Sequence, residues 1–214
     1  MTEPETPLKH PWLWTLFCVV LLSIPVASWL AARHHHRALP KYGHVPAFAF
    51  TDQENQPIGL ADLDGKVWVA DFVFTSCSEA CPRLTERMAG LQRYLENRGE
   101  DGRTRLVSIS VDPDRDTPAR LRAFAKGYQA DPRVWHFLTG PYKEVEDAVV
   151  HGFKQAMEKD PDPKAADGFA IVHGTKMVLV DGSGEIRGFY DSTEPLQMEK
   201  LRLDLSQLLA SGGT

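Results

Sequence analysis

The chain begins with a long uncharged stretch and then changes to short segments of alternating character. Residues 12–32 carry no Asp, Glu, Lys or Arg and are rich in Leu, Val and Ile. As a helix they would extend about 30 Å, the thickness of the hydrocarbon core of a bilayer. Trp12 and Trp29 lie near the two ends, where aromatic rings favour the membrane interface. The pattern predicts a transmembrane anchor over 12–32, preceded by a cytoplasmic tail over 1–11.

A cleaved signal peptide is the alternative interpretation of this stretch. Its best cleavage site is at residues 26–28 (VAS), but Trp29 and Leu30 fit poorly after such a site. We therefore expect an uncleaved anchor. More Lys and Arg residues follow the stretch than precede it, and the positive-inside rule alone would keep the following domain in the cytoplasm.

Residues 33–46 are polar and contain two Pro, one Gly and four His, which predicts a linker. A solvated basic linker is the simpler interpretation of these histidines, and weak metal binding is the alternative.

Residues 47–210 are predicted to form one domain in which β-rich runs alternate with runs of helical spacing. The β-rich runs are 67–74, 106–111, 134–138, 170–180 and 186–190. One helical run follows the first β-rich run and ends at about 97, and a second begins at 117. The other two are 144–153 and about 193–208. This order predicts a mixed sheet covered by helices, an α/β sandwich.

The composition excludes some classes of function. The formal net charge of -5 offers no basic surface for nucleic acid. Three cysteines are too few for a disulfide scaffold, so the close pair Cys77 and Cys81 needs another explanation. Cys18 lies inside the predicted anchor and is expected to be an inert, membrane-facing thiol.

Cys77 and Cys81 follow a buried strand at the point where the next helix is predicted to begin. The free N–H groups of a helix N-terminus stabilise thiolate, which binds metals and attacks disulfides. Two thiolates suit a soft ion such as Cu(I), whereas a structural zinc site needs four ligands. A third ligand should be an imidazole or a thioether, and His173, just before or within a strand, is a candidate.

Several motifs in this order resemble the SCO/SenC family of copper-handling proteins needed for cytochrome c oxidase assembly. The residues that carry the resemblance are 74–77 (FTSC) with 81–82 (CP), 110–118 (SVDPDRDTP), 135–140 (WHFLTG) and 172–181 (VHGTKMVLVD). The likeness extends from about residue 48 to residue 209. Two positions depart from the family pattern: Ser78 stands where Pro is usual, and Val172 stands where Asp commonly precedes the ligand histidine.

The resemblance implies a thioredoxin-like three-layer sandwich behind a single N-terminal anchor in the bacterial inner membrane, with the main domain periplasmic. It also implies that Cys77, Cys81 and His173 bind Cu(I), with Cu(II) as a further state. The implied partner is the copper-site subunit of cytochrome c oxidase, with other periplasmic copper chaperones or thiol reductants as further candidates.

A metallochaperone that delivers copper to the dinuclear site of the oxidase is the first hypothesis. A thiol–disulfide oxidoreductase, with a Cys77–Cys81 disulfide, is the second; it would keep the oxidase copper-site cysteines reduced. Asp71 bears on the second, because it lies in an apolar strand and resembles the buried proton acceptor of thioredoxins. A structural Asp is the alternative interpretation. A peroxidase of the peroxiredoxin type fits poorly, and a copper or redox sensor is a further alternative.

Overall fold

The computed structural model of the chain describes residues 11–34, 38–77, 80–157 and 175–214. By its internal contacts the chain divides into two units, with the boundary after Ala38.

The first unit contains helix α1, Pro11–His34, with Pro25 inside it. Its side chains at 16–25 are exposed. In the described parts of the chain, no helix combines the length and the apolar character needed to cross a membrane. The membrane span expected over 12–32 therefore gains no support from the structure.

The second unit carries seven strands and four α-helices within the described residues. They are β1 Ala49–Thr51, β2 Pro57–Gly59, a 3₁₀ helix Leu60–Leu63, β3 Val67–Val73, α2 Ala80–Arg98, β4 Thr104–Ser110, α3 Pro118–Gly127, β5 Trp135–Leu138, α4 Tyr142–Glu146, a π-helix Asp147–Gly152, β6 Lys176–Val180, β7 Ile186–Asp191 and α5 Pro195–Ala210. The predicted α/β order is confirmed.

The main sheet is mixed, as predicted, with strand order β5-β4-β3-β6-β7. β3, β4 and β5 run parallel, and β6 and β7 are antiparallel neighbours. β3 lies in the middle, and all seven of its residues are buried. This explains its continuous apolar sequence, because a central strand is covered on both faces.

Helices cover both faces of the sheet and complete the three layers. Phe153, after the π-helix, packs edge-on against Trp68 and Phe72 of β3. Phe124 of α3 packs edge-on against Phe137 of β5, whose register partner is Ser108. Ser108 is also the register partner of Asp71, so α3 lies on the face opposite Phe153. A hydrogen bond between the hydroxyls of Tyr94 and Ser206 joins α2 to α5.

Two elements differ from the sequence predictions. The β1–β2 hairpin was not predicted, because each strand has three residues and Pro57 and Gly59 weaken the β pattern. The helix expected over 144–153 is present, but its second half is a π-helix with wider turns.

The end of β1 and the residues just after it cover the outer edge of β5. The side-chain amide of Gln53 donates to the Trp135 carbonyl at 2.9 Å and accepts from the Phe137 N–H at 2.7 Å. Thr51 and Thr139 exchange backbone hydrogen bonds at 2.8 and 2.9 Å. One side chain thus takes the place of a neighbouring strand.

The outer edge of β7 is covered by part of the stretch expected to be a linker. Tyr42 N–H donates to the Ile186 carbonyl, and Ile186 N–H donates to the Gly43 carbonyl, at 2.9 and 2.8 Å. Val45, fully buried, donates its N–H to Gly184 at 2.9 Å. The structure therefore places residues 39–45 on the domain, because their backbone pairs with residues 184 and 186 at the start of the outer strand.

A buried ion pair holds the same stretch. Arg187 donates to Asp181 Oδ2 at 2.6 Å and to the carbonyls of Leu39 and Pro40 at 2.9 and 3.2 Å. Burial opposes ionisation of Asp181, but hydrogen bonds from Ser183 and Arg187 outweigh it and hold the pKa of Asp181 below its ordinary value.

We expect Arg187→Met to lower the free energy of unfolding by about 3–5 kcal/mol, because it leaves a buried carboxylate without its partner. The folded pKa of Asp181 lies below the unfolded value of 3.8. The stabilisation is therefore complete above the unfolded value and is lost as the pH falls through the folded one. Urea unfolding at neutral and acidic pH measures both effects. Arg133→Met, which removes an exposed pair with Asp131, is the control and should change the stability much less, because solvent screens an exposed ion pair.

Candidate metal centre and thiol pair

Cys77 and Cys81 lie where the central strand β3 passes into α2. Cys77 is in the loop after β3 and half-buried, and Cys81 is in the first turn of α2 and buried. The Cys81 N–H donates to Cys77 Sγ at 3.2 Å. A backbone N–H at a helix N-terminus has no partner within the helix, and here it points at a sulfur, where it stabilises negative charge.

The two thiols are not equivalent. Burial raises the pKa of the Cys81 thiol well above its usual range, and its hydrogen bond to Cys77 raises it further. Cys81 is 5% exposed, whereas Cys77 reaches solvent. Cys77 is therefore the sulfur that a partner meets first, and Cys81 holds its proton until a metal or a base removes it.

Asp116 fixes the loop that carries Cys77. Its buried carboxylate accepts from the Thr75 N–H at 3.0 Å, from the Thr75 hydroxyl at 2.5 Å and from the Ser110 hydroxyl at 2.7 Å. The carboxyl ends of the parallel strands β3 and β4 lie side by side, so the segment after β4 reaches the cysteine loop. Asp116 belongs to the motif at 110–118, but the sequence alone predicts no role for it.

Asp71 lies inside the sheet, near the same corner. It is fully buried, as its place in an apolar strand predicts, and its Oδ1 accepts from the Ser108 hydroxyl at 2.5 Å. Its Oδ2 has no hydrogen-bond partner among the described residues. Burial raises the pKa of Asp71 to about 7, and the Ser108 hydrogen bond opposes this rise. Its charge also raises the pKa of Cys81, so the carboxyl and the thiol are electrostatically coupled.

Tyr128 is close enough to the pair to sense its charge, and it was not found from the sequence. It lies at the C-terminal end of α3, with its ring 5.0 Å from that of Phe124. Burial raises the pKa of Tyr128, and negative charge on Glu86, Cys81 and Cys77 raises it further. No sequence signal separates this residue from any other aromatic side chain on an amphipathic helix.

The structure brings together two of the three expected metal ligands. Cys77 and Cys81 are adjacent, and His173 lies outside the described residues. Over the described ranges, no group of three or more His, Cys, Asp and Glu side chains could hold a metal ion.

A mixed sheet between helices, with two cysteines where a central strand meets a helix, defines a thioredoxin-like protein. A protein-family profile described as SCO1/SenC matches residues 37–209, and the chain belongs to this family. The resemblance seen in the motifs is confirmed.

Solved structures of related proteins support the assignment. A SCO1/SenC family lipoprotein from Bacillus anthracis is 33% identical, with a TM-score of 0.70 over 80% of this chain and 99% of that chain. BsSco, a Sco-family cytochrome c oxidase assembly protein described as having a disulfide switch, is 31% identical. Its TM-score is 0.67, over 80% of this chain and 95% of that chain. Copper-bound ScoI from Bradyrhizobium japonicum, at 23% identity, has a TM-score of 0.63 over 77% and 99%, and shares the fold.

We expect iodoacetamide to modify Cys77 at least about tenfold faster than Cys81 in the reduced chain near pH 8. Thiolate is the reacting form, and its fraction falls about tenfold for each unit by which the pKa rises above the pH. Mass spectrometry of the two peptides measures the rates. In the urea-unfolded chain the two rates should converge, and equal rates in the folded chain would contradict the asymmetry.

Proposed function

We propose that this chain is a copper metallochaperone that binds copper through Cys77, Cys81 and His173 and delivers it to the dinuclear copper site of cytochrome c oxidase. The observation that carries the proposal is the placement of two sulfurs within one turn, with the Cys81 N–H 3.2 Å from Cys77 Sγ. Membership of the family and the copper-bound ScoI support copper as the cargo. BsSco supports the oxidase as the recipient.

The topology of β6 supports His173 as the third ligand. β6 is antiparallel to β3, with Ala70 paired to Val178, so β6 begins beside the end of β3 that leads to Cys77. Thr175 is fixed there by a hydrogen bond of 2.9 Å from Ser192 N–H to its carbonyl. His173 is two residues away, which is at most about 7 Å of chain. The length of chain between Thr175 and residue 173 therefore allows an imidazole to reach the end of the sheet that carries the cysteines.

The charge and softness of the ligands suit the cargo. Thiolates favour Cu(I), and an added imidazole also suits Cu(II). Copper displaces the proton that burial retains on Cys81, so binding releases a proton. The half-buried Cys77 leaves one side of the site open to a recipient with similar ligands.

Thiol–disulfide exchange is the second function that we propose, and the inequality of the two thiols favours it. Cys77 thiolate attacks a disulfide of the oxidase copper site and releases one partner thiolate. Cys81 then loses its proton to Asp71 and attacks Cys77 sulfur. The Cys77–Cys81 disulfide forms, the second partner thiolate leaves, and the partner has gained two electrons. A periplasmic thiol reductant would supply the two electrons that restore the reduced pair.

A Cu(I) competition titration of the reduced full chain, on a Cys18→Ser background, tests the metallochaperone. We expect one copper per chain, with affinity that rises with pH. Cys77→Ser, Cys81→Ser and His173→Ala should each weaken copper binding by more than about 100-fold. Removal of a residue that only hydrogen-bonds to a metal ligand would weaken it less. His151→Ala, which removes an exposed histidine of the π-helix, is the matched control.

The same variants separate the two functions. His173→Ala should leave disulfide reduction unchanged, whereas either cysteine variant should abolish it. Affinity unchanged in His173→Ala would remove His173 from the site. Absence of tight copper binding in the parent chain would leave thiol–disulfide exchange as the function.

We also propose that residues 12–32 anchor the chain in the bacterial inner membrane, with the domain at 47–210 periplasmic. The uncharged sequence supports the anchor, and the related Bacillus anthracis protein is a lipoprotein. A periplasm-dependent reporter fused after Thr214 should be active, and it should lose activity when 12–32 is deleted. Activity only with a cytoplasm-dependent reporter would overturn this orientation.

A further inference from the structure

The turn that leads from β3 to Cys77 is closed by its own backbone. The Cys77 N–H donates to the Phe74 carbonyl at 3.2 Å, which closes a β-turn with Thr75 as its second residue. Cys77 Sγ in turn accepts the Cys81 N–H at 3.2 Å. Two hydrogen bonds thus connect the end of β3 to the first turn of α2 through Cys77.

Asp116 holds this turn from outside. Its two carboxylate oxygens accept from the N–H and the hydroxyl of Thr75, at 3.0 and 2.5 Å. A backbone N–H can only donate and an ionised carboxylate can only accept, so the N–H contact has one possible direction. Because Asp116 is fully buried, its carboxylate depends on such donors to replace water.

The support behind Asp116 is itself fixed. The Ser110 hydroxyl at the end of β4 donates to Asp116 Oδ2 at 2.7 Å and accepts the Asp112 N–H at 3.1 Å. The Asp116 N–H donates to the Asp112 carbonyl at 2.9 Å. Thr117, the next residue, caps the N-terminus of α3 by accepting the Arg120 N–H. The carboxylate is therefore held between two fixed elements, β4 and α3.

We propose that Asp116 is a positioning residue for Cys77: it holds the turn so that the sulfur faces the N-terminus of α2 before copper binds. The proposal rests on the proposed copper function. Without the carboxylate the turn adopts other conformations as well, and the free energy needed to restore the binding conformation is lost from the affinity for copper. Loss of a residue that orients a metal ligand typically weakens metal binding by about 10–100-fold.

The charge of Asp116 by itself predicts the opposite sign. The carboxylate contacts Thr75, two positions before Cys77, and its negative charge opposes further negative charge on the neighbouring thiolates. If charge were its only contribution, removing it would tighten copper binding or leave it unchanged. Weaker binding after its removal is therefore the signature of positioning.

The test compares Asp116→Ala with Asp52→Ala in the reduced full chain on the Cys18→Ser background. Asp52 is the matched control, because it is also buried and its Oδ1 also fixes a turn, accepting the Glu54 and Gln56 N–H groups at 2.8 Å. Both variants should lose stability against urea. In a Cu(I) competition titration, Asp116→Ala should bind about 10–100-fold more weakly than the parent, and Asp52→Ala should match the parent.

Variants of Thr75 separate the two hydrogen bonds of the carboxylate. Thr75→Val removes the hydroxyl but keeps the N–H, and it should weaken copper binding by less than Asp116→Ala does. Thr75→Ser keeps both donors and should restore the parent affinity. Asp116→Asn keeps one acceptor oxygen for the Thr75 N–H, so its affinity should lie between those of the parent and Asp116→Ala.

A second measurement needs no copper. Hydrogen exchange of the metal-free reduced chain, followed by NMR, reports the Cys77 and Cys81 N–H groups, whose hydrogen bonds belong to the turn and to its contact with α2. Both groups should exchange at least about tenfold faster in Asp116→Ala, because hydrogen bonds to a charged group are lost. In Asp52→Ala they should exchange at the parent rate.

The outcomes separate the positioning role from the function on which it rests. If the parent chain binds no copper, the metallochaperone fails, and the exchange rates alone decide whether Asp116 positions Cys77. Parent-like exchange rates in Asp116→Ala would overturn the positioning role, as would parent-like affinity in a chain that binds copper, or an equal loss of affinity in Asp52→Ala. If Asp116→Ala does not fold, as judged by near-ultraviolet circular dichroism, the Thr75→Val and Thr75→Ser pair decides.

Discussion

The parallel pairing of β3 with β4 is the constraint on which the site depends. Its register runs without a break from Val67 opposite Thr104 to Val73 opposite Ser110. Both strands therefore end at the same level, and the loops that follow them meet. This places the Asp116 carboxylate against Thr75, and it places Ser108 opposite Asp71. A shift of β4 by one residue would turn Ser108 to the other face of the sheet, away from Asp71.

The two cysteines are neighbours but lie in different environments. Cys77 accepts a helix N–H and reaches solvent, whereas Cys81 is buried, and the charge of Asp71 adds to the rise of its pKa. An accessible sulfur and a retained proton serve copper capture and disulfide exchange equally well, because both begin with Cys77 and end with Cys81 deprotonated. The same asymmetry therefore supports both proposed functions, which differ in whether they require the imidazole of His173.

Local patterns in the sequence predicted much of the fold and part of the site. The apolar residues of β3 predicted a central strand, and the position of Asp71 among them predicted that this carboxyl is buried. The position of the cysteines after that strand predicted a helix N-terminus. What the sequence could not show depends on pairs far apart in the chain. Asp116 and Thr75 lie 41 positions apart and Ser108 and Trp135 lie 27 apart, and no periodicity encodes their contact.

The covered edges of the sheet limit how another protein can engage this domain. Gln53 pairs with the backbone of Trp135 and Phe137 in β5, and the backbone at 42–43 pairs with Ile186 at the start of β7. Many proteins recognise an extended peptide by adding it as a further strand, and uncovered edges also invite aggregation. Neither lateral edge offers unpaired backbone groups at these positions. Strand addition is therefore blocked at these positions, whereas the loop that carries Cys77 lies at the carboxyl end of the sheet and not along either edge.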